Sequence, residues 1–221
     1  MVAAVVFDMD GLMLDTESIN RMAWQGAAVE LGHTLDDAFY LTLLGRTTVD
    51  CEARVQHQCG AAFPMGEFRA RRRVLWRARV DQGITIKPGL VELLAFLEAR
   101  DVPMAVATSS HTMAAESSLG SANLRSRFEV VVTGDQVVQG KPAPDIYLEA
   151  ARRLGVSSRE CVALEDSDNG VLASSAAGMT TIMVPDLKPA SEESISRALR
   201  VVPTLHEARE LIGLMLSERP A

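Results

Sequence analysis

At 221 residues, 48% hydrophobic and 23% charged, the chain is long enough for one good core or for a domain with a smaller insert, and its composition is that of a globular protein. Lys and Arg number 22 against 29 Asp and Glu, and the net charge of -7 argues against a sequence-independent grip on nucleic-acid phosphates or an anionic membrane, which leaves small molecules as the expected partners and an acidic monomer as the default state. Cys51, Cys59 and Cys161 are odd in number and lack the spacing of a zinc site, so they read as core residues of a protein kept in a reducing cytoplasm.

The chain starts with an apolar run, Ala3 to Phe7, which ends at Asp8. It is too short for a signal h-region or a membrane span and carries no basic flank, so a buried strand is expected. From about Asp15 to Thr85 no strong strand run occurs, but helical patterns do, such as Ile19, Met22, Ala23 and Ala27 closing at Gly32. This stretch reads as an inserted helical subdomain, divided near Ala61-Ala62-Phe63-Pro64. Re-entry into the core is marked by the turn Lys87-Pro88-Gly89.

Four more apolar runs follow: Met104 to Ala107, Val130 to Thr133, Val162 to Leu164 and Thr181 to Val184. Without polar alternation, such runs suit strands covered on both faces. Between them lie helical spacings at Leu90, Leu93, Leu94 and Leu97, at Ile146, Ala150 and Leu154, and at Val171, Ser174, Ser175 and Gly178; a last helix is expected over about Leu205 to Leu216. Strand and helix alternate, so the class is α/β: a doubly wound parallel sheet with a helical insert, the core being residues 1–14 and 86–221 and the insert 15–85.

Ligands of an open parallel sheet bind beyond the carboxyl ends of its strands. The residues standing there are Asp8-Met9-Asp10-Gly11, Thr108-Ser109-Ser110, Gly134-Asp135 and Glu165-Asp166-Ser167, with Lys141 in the loop before the helix that Pro144 can begin. Carboxylates from separate strands repel one another unless a cation lies between them, and hard oxygen ligands suit Mg²⁺. A phosphoryl group completes the set. Its charge would be offset by the metal and Lys141, and its oxygens held by Thr108 and nearby N–H groups. Asp8 is then placed to attack phosphorus, and Asp10 to protonate the leaving oxygen and afterwards deprotonate water.

This ordered set resembles the haloacid dehalogenase superfamily. Asp8-Met9-Asp10-Gly11 is similar to its nucleophile motif, Thr108-Ser109 to its second, Lys141 to its third, and Glu165-Asp166-Ser167 with Gly170 and Ala177-Gly178-Met179 to its acidic fourth. The resemblance spans essentially the whole chain. Asp15-Thr16-Glu17 and the insert resemble the helical-cap subgroup, which includes β-phosphoglucomutase and many sugar-phosphate phosphatases. It implies nucleophilic Asp8, acid/base Asp10, phosphate binding by Thr108, Ser109 and Lys141, and Mg²⁺ held by Asp8, the Asp10 carbonyl and Asp166, with Glu165 assisting. Gly45-Arg46 resembles the cap loop that closes over the substrate in this subgroup.

Competing readings are weaker. Asp8 and Asp10 alone would fit a solvated turn, Lys141 alone a surface lysine, and Thr108 alone a helix cap; their order at strand ends favours function. Asp166-Ser167-Asp168-Asn169-Gly170 departs from a calcium loop, because the glycine comes one place early, and Asp168 is expected to cap the next helix. The arginines from Arg69 to Arg79 read as a solvated face, with one of them at most reaching substrate. Trp24 and Met22 read as helix packing, and His111 as a residue able to line the pocket.

Two enzymatic branches remain, a phosphatase and a β-phosphoglucomutase-like mutase. The mutases generally carry a histidine five residues beyond the Asp-Thr aspartate; here that position is Asn20, which lacks the ionisable group and favours hydrolysis. A signalling receiver module would place its phosphorylated aspartate on a middle strand and have no insert. True dehalogenation needs neither Asp10 nor Glu165-Asp166. A hexose or pentose phosphate is the expected substrate.

Overall fold

The computed structural model of the protein describes residues 2–44 and 48–217. They divide into two compact units, Met1–Asp15 with Thr85–Ala221, and Thr16–Ile84.

The described residues of the unit Thr16–Ile84 form four helices: α1 (Thr16–Glu30), α2 (Asp37–Leu41), α3 (Thr48–Cys59) and α4 (Met65–Val80). Its own small core gathers Trp24, Ala27, Tyr40, Val55, Phe63 and Phe68, with Trp24 edge-on to Phe68 at 5.5 Å, a geometry that aromatic quadrupoles favour. Met22, expected inside, is exposed, because it falls on the opposite side of α1 from the apolar stripe. Four of the α4 arginines are paired locally: Arg69 and Arg72 with Glu52, Arg71 with Glu30 and Arg77 with Asp81. Arg72 also lies 4.4 Å over the Trp24 ring.

In the other unit the described strands form one six-stranded sheet: β1 (Ala4–Phe7), β2 (Met104–Thr108), β3 (Val130–Thr133), β4 (Cys161–Glu165), β5 (Thr180–Met183) and β6 (Arg200–Val201). All neighbours run parallel, in the order β3-β2-β1-β4-β5-β6. The chain builds outward from β1 to one edge, then crosses to begin β4 on the other side, so the switch point lies between the ends of β1 and β4. Alternation along β1 sends Ala4 and Val6 to a core shared with Ile146, Tyr147 and Ala150, whereas Phe7 faces the opposite side and meets Phe128 edge-on at 5.8 Å.

The helices of this unit are α5 (Leu90–Glu98), α6 (Thr112–Ser121), α7 (Asp145–Leu154), α8 (Asp168–Ala176), α9 (Glu192–Arg197) and α10 (Leu205–Ser217). On α5 the spaced leucines Leu90, Leu93, Leu94 and Leu97 are all fully buried. α10 packs on α5 where Gly213 stands opposite the Phe96 ring. β6 lies outside the five strands read from the sequence; it has two residues, both exposed. No described helix is long and apolar enough to cross a membrane.

Candidate active site

β1 delivers Asp8 to the switch point, where its N–H donates to the Leu164 carbonyl at 2.9 Å. Just beyond, Gly11 turns the chain at φ 88°; a Cβ there would stand 2.3 Å from Asp166 Oδ2, so glycine is required both by conformation and by the approach of that carboxylate.

Lys141 reaches the same place from the loop before α7 and is nearly sealed from solvent. Its ammonium donates to Asp8 Oδ1 at 2.5 Å, to Glu165 Oε1 at 2.6 Å and to the Ala107 carbonyl at 3.0 Å. Glu165 ends β4 and is wholly buried. Its Oε1 also accepts the Tyr147 hydroxyl at 2.6 Å, and its Oε2 accepts the Asp166 N–H, the Ser167 N–H and the Ser167 hydroxyl at 3.0–3.2 Å. Gly170 makes room for this carboxylate, since a Cβ on it would stand 1.8 Å from the Glu165 carboxyl carbon.

Asp8, Glu165 and Asp166 can each place one oxygen within 4.8 Å of the others. Burial, with Glu165 and Asp10 nearby, pushes the Asp8 carboxyl up to about 8 despite Lys141. Asp166 is raised for the same reasons, burial first and then Asp8 and Glu165. Burial disfavours the Lys141 ammonium, but Asp8 and Glu165 outweigh it and hold its pKa well above the lysine range. One lysine against this acidic group leaves negative charge uncompensated, and the donor set is hard oxygen. Both properties fit a divalent cation such as Mg²⁺.

Asp10 is turned toward β2. Its Oδ2 accepts hydrogen bonds from the Thr108 hydroxyl at 2.9 Å and the Ser110 hydroxyl at 2.8 Å, and the Ser110 N–H donates to Thr108 Oγ1 at 3.0 Å. Asp8 and Asp10, two residues apart, thus occupy different surroundings, one against an ammonium and buried carboxylates, the other against hydroxyls.

Asp8, Glu165, Asp166 and Lys141 therefore meet in one cluster, with Asp10, Thr108 and Ser110 beside it. Ser109 is exposed, its carbonyl close beneath Gly134, where a Cβ would come within 2.4 Å of it. Asn20 lies half-buried on α1 in the other unit; Gly45 and Arg46 lie outside the described residues. Asp168 is not the cap of α8. Ser167 holds that position and accepts the Gly170 N–H, while Asp168 accepts from Ser191 and Ser194. His111 is largely exposed, 3.7 Å from Asp135. Two participants were not assigned from the sequence. Ser110 belongs to the strand-end triplet, and Tyr147 lies at the start of α7, where the sequence shows it only as one more apolar helix position between Ile146 and Ala150.

The chain matches the family model described as haloacid dehalogenase-like hydrolase over residues 5–184. It is 35% identical to fructose-1-phosphate phosphatase YqaB of Escherichia coli (strain K12) over 184 residues, 82% of this chain and 96% of that protein. It is 31% identical over 208 residues to the bifunctional riboflavin kinase/FMN phosphatase of Arabidopsis thaliana, covering 94% of this chain but only 54% of that longer protein. Among solved structures, a haloacid dehalogenase family hydrolase from Deinococcus radiodurans R1, with bound phosphate and sodium, superposes with a TM-score of 0.81 at 29% identity, over 100% of this chain and 99% of the other. The chain belongs to the haloacid dehalogenase-like hydrolase family and is a phosphoric monoester hydrolase.

Proposed function

We propose that the protein is a Mg²⁺-dependent phosphatase that hydrolyses a small sugar phosphate through an aspartyl-phosphate on Asp8. The observation that carries this reading is the unequal pair of carboxylates: Asp8 lies 2.5 Å from Lys141 within the acidic cluster, whereas Asp10 rests on the Thr108 and Ser110 hydroxyls. Neighbouring carboxyls in different surroundings can divide nucleophile and acid/base roles between them.

The Asp8 carboxylate attacks phosphorus, and the bond from phosphorus to the ester oxygen breaks. Asp10, as the acid, gives its proton to that oxygen and releases the alcohol. Asp10, now a carboxylate, takes a proton from water as the water oxygen bonds to phosphorus. The bond from phosphorus to the Asp8 oxygen breaks, releasing inorganic phosphate and restoring Asp8. Lys141 and the Thr108 hydroxyl offset charge on the phosphoryl oxygens, and Ser109 N–H or hydroxyl donors add to them. Asp8, the Asp10 carbonyl and Asp166 would hold Mg²⁺, which when bound supplies positive charge to the transferring group. Glu165, already served by five donors, suits the role of an anchor for Lys141 and for the Asp166 backbone.

Asn20, at the position where the mutases generally carry histidine, supports hydrolysis over return of the phosphoryl group to the sugar. Gly45 and Arg46 belong to this proposal as substrate contacts. The acidic chain and its three cysteines, which lack metal-site spacing, fit a cytoplasmic monomer acting on small phosphorylated molecules rather than on nucleic acid or membranes.

Phosphate release from a panel of sugar phosphates, phosphoglycolate, FMN and nucleoside monophosphates, with Mg²⁺, tests the reading. Release is expected to disappear in EDTA and in Asp8→Asn. Release that persists in Asp8→Asn sinks the nucleophile assignment, and conversion of β-glucose 1-phosphate to glucose 6-phosphate without release puts the protein on the mutase branch.

A further inference from the structure

The proposed mechanism leaves one partly buried ion pair unused. Lys87, in the turn that leads into α5, pairs with Asp186, just beyond β5 and 99 residues away in sequence. The Lys87 N–H donates to the Met13 carbonyl at 2.9 Å, which fixes the lysine to the segment that follows the Asp8 motif. The ammonium occupies Asp186 Oδ1. The Asp186 side chain is only 10% exposed, yet its other oxygen, Oδ2, is sealed from solvent without a hydrogen-bond partner among the described residues. A buried charged acceptor with an unused oxygen is rare, because desolvating it without a donor is costly.

The direction of that oxygen is informative. The point where a Gly11 Cβ would stand is 2.3 Å from Asp166 Oδ2 and 3.3 Å from Asp186 Oδ2, so both carboxylates border the same space over Gly11. Asp186 thus adds a further acidic oxygen at the side of the Asp8, Glu165 and Asp166 cluster. Mg²⁺ keeps several of its waters when bound by one or two carboxylates, and such waters need acceptors. Outer carboxylates that accept from them orient the site and tune its affinity.

We propose that Asp186, held in place by Lys87, is a positioning residue of the cation site, its Oδ2 accepting a hydrogen bond from water carried by the divalent ion. The inference rests on the reading above that Asp8 and Asp166 hold Mg²⁺. It goes beyond that reading by assigning a function to two residues outside the four strand-end motifs, and it explains why a carboxylate oxygen is buried without a donor from the protein.

Calorimetric titration of Mg²⁺ into the wild type, Asp186→Asn and Lys87→Gln, with thermal unfolding of each in EDTA, tests it. In Asp186→Asn the amide keeps its oxygen on Lys87 and turns an NH₂ donor toward the former Oδ2 side, so Mg²⁺ is expected to bind about 10- to 100-fold more weakly. Lys87→Gln is expected to weaken binding in the same direction and by less, because Asp186 keeps its acceptor but loses its support. If the pair only ties two loops together, both variants melt earlier in EDTA and bind Mg²⁺ within about twofold of the wild type, a result that overturns the inference. Should Asp186→Asn fail to fold, the affinity of Lys87→Gln decides in the same way. A wild type that binds no Mg²⁺ overturns both this inference and the metal assignment beneath it, whereas a wild type that binds with an affinity shared by the variants overturns this inference alone.

Discussion

Tyr147 donates its hydroxyl to Glu165 Oε1 at 2.6 Å, on the same oxygen that receives Lys141. Burial and the Glu165 charge hold the phenol well above its usual pKa, so it remains a donor across the working range. Its ring also lies 5.0 Å from the Lys141 ammonium. Tyr147→Phe keeps the ring and deletes the hydroxyl, leaving a buried carboxylate with one donor fewer. It is expected to lower unfolding free energy by about 1–3 kcal/mol, read from urea denaturation at unchanged slope. A variant as stable as the wild type would show that the bond contributes nothing net.

Lys141→Met removes the cation between Asp8 and Glu165 while keeping much of the volume. Breaking such a buried pair costs about 3–5 kcal/mol, and losing a charge-stabilising donor costs about 10²–10³-fold in turnover. Part of the lost stability should return with Mg²⁺, since a divalent ion would occupy the same acidic surroundings. Melting temperatures in EDTA and in excess Mg²⁺ should therefore differ more for Lys141→Met than for the wild type. Equal differences would mean that the lysine and the ion do not share this charge.

The same substitution should act in opposite directions at two helical glycines. On α8, Gly170→Ala drives a methyl group into the Glu165 carboxyl, at 1.8 Å from its carbon. Glu165 is fixed by five donors and cannot withdraw, so a loss of about 2 kcal/mol or more is expected. On α4, a Cβ at Gly66 meets nothing within 4 Å, and Gly66→Ala should stabilise by up to about 1 kcal/mol through helix propensity. Chemical denaturation of the two variants side by side checks both signs, and a neutral Gly170→Ala would contradict the packing described.

Much of this site was legible in the sequence because parallel strands advertise their ends: an uninterrupted apolar run stops at the residue that meets solvent and ligand. Asp8, Thr108 and Glu165 each stand at such a stop. Ser110 was visible in its triplet, but the sequence does not say which hydroxyl of Ser109 and Ser110 turns inward; the turn after β2 decides that. Tyr147 looked like one more apolar helix position, since only the neighbouring Glu165 gives its hydroxyl a purpose. Lys87 and Asp186 were beyond reach, because their pairing depends on two loops that converge only once the sheet is assembled. β6 was missed because two exposed residues carry no hydrophobic pattern.

Asp168 illustrates a sequence expectation that the structure redirects, and its new role has a definite pH dependence. The carboxylate accepts from the Ser194 hydroxyl at 2.6 Å, the Ser191 N–H at 3.0 Å and the Lys188 ammonium at 3.1 Å, tying the loop before α9 to the start of α8. Burial works to raise its pKa, but the donors from Ser194, Ser191 and Lys188 overcome this and hold it well below the usual carboxylate range. The unfolded chain binds a proton near pH 3.9, above the folded value, so the contribution is fully present above about pH 5 and is lost as the pH falls through the folded pKa. Asp168→Asn removes the charge and the titration together. The stability gap between wild type and Asp168→Asn should be about 1–3 kcal/mol at pH 7. That gap should narrow steadily below about pH 4, when unfolding of the two proteins is compared at each pH. A gap that stays constant down to pH 3 would mean that Asp168 holds the loop by shape alone, with its charge contributing nothing.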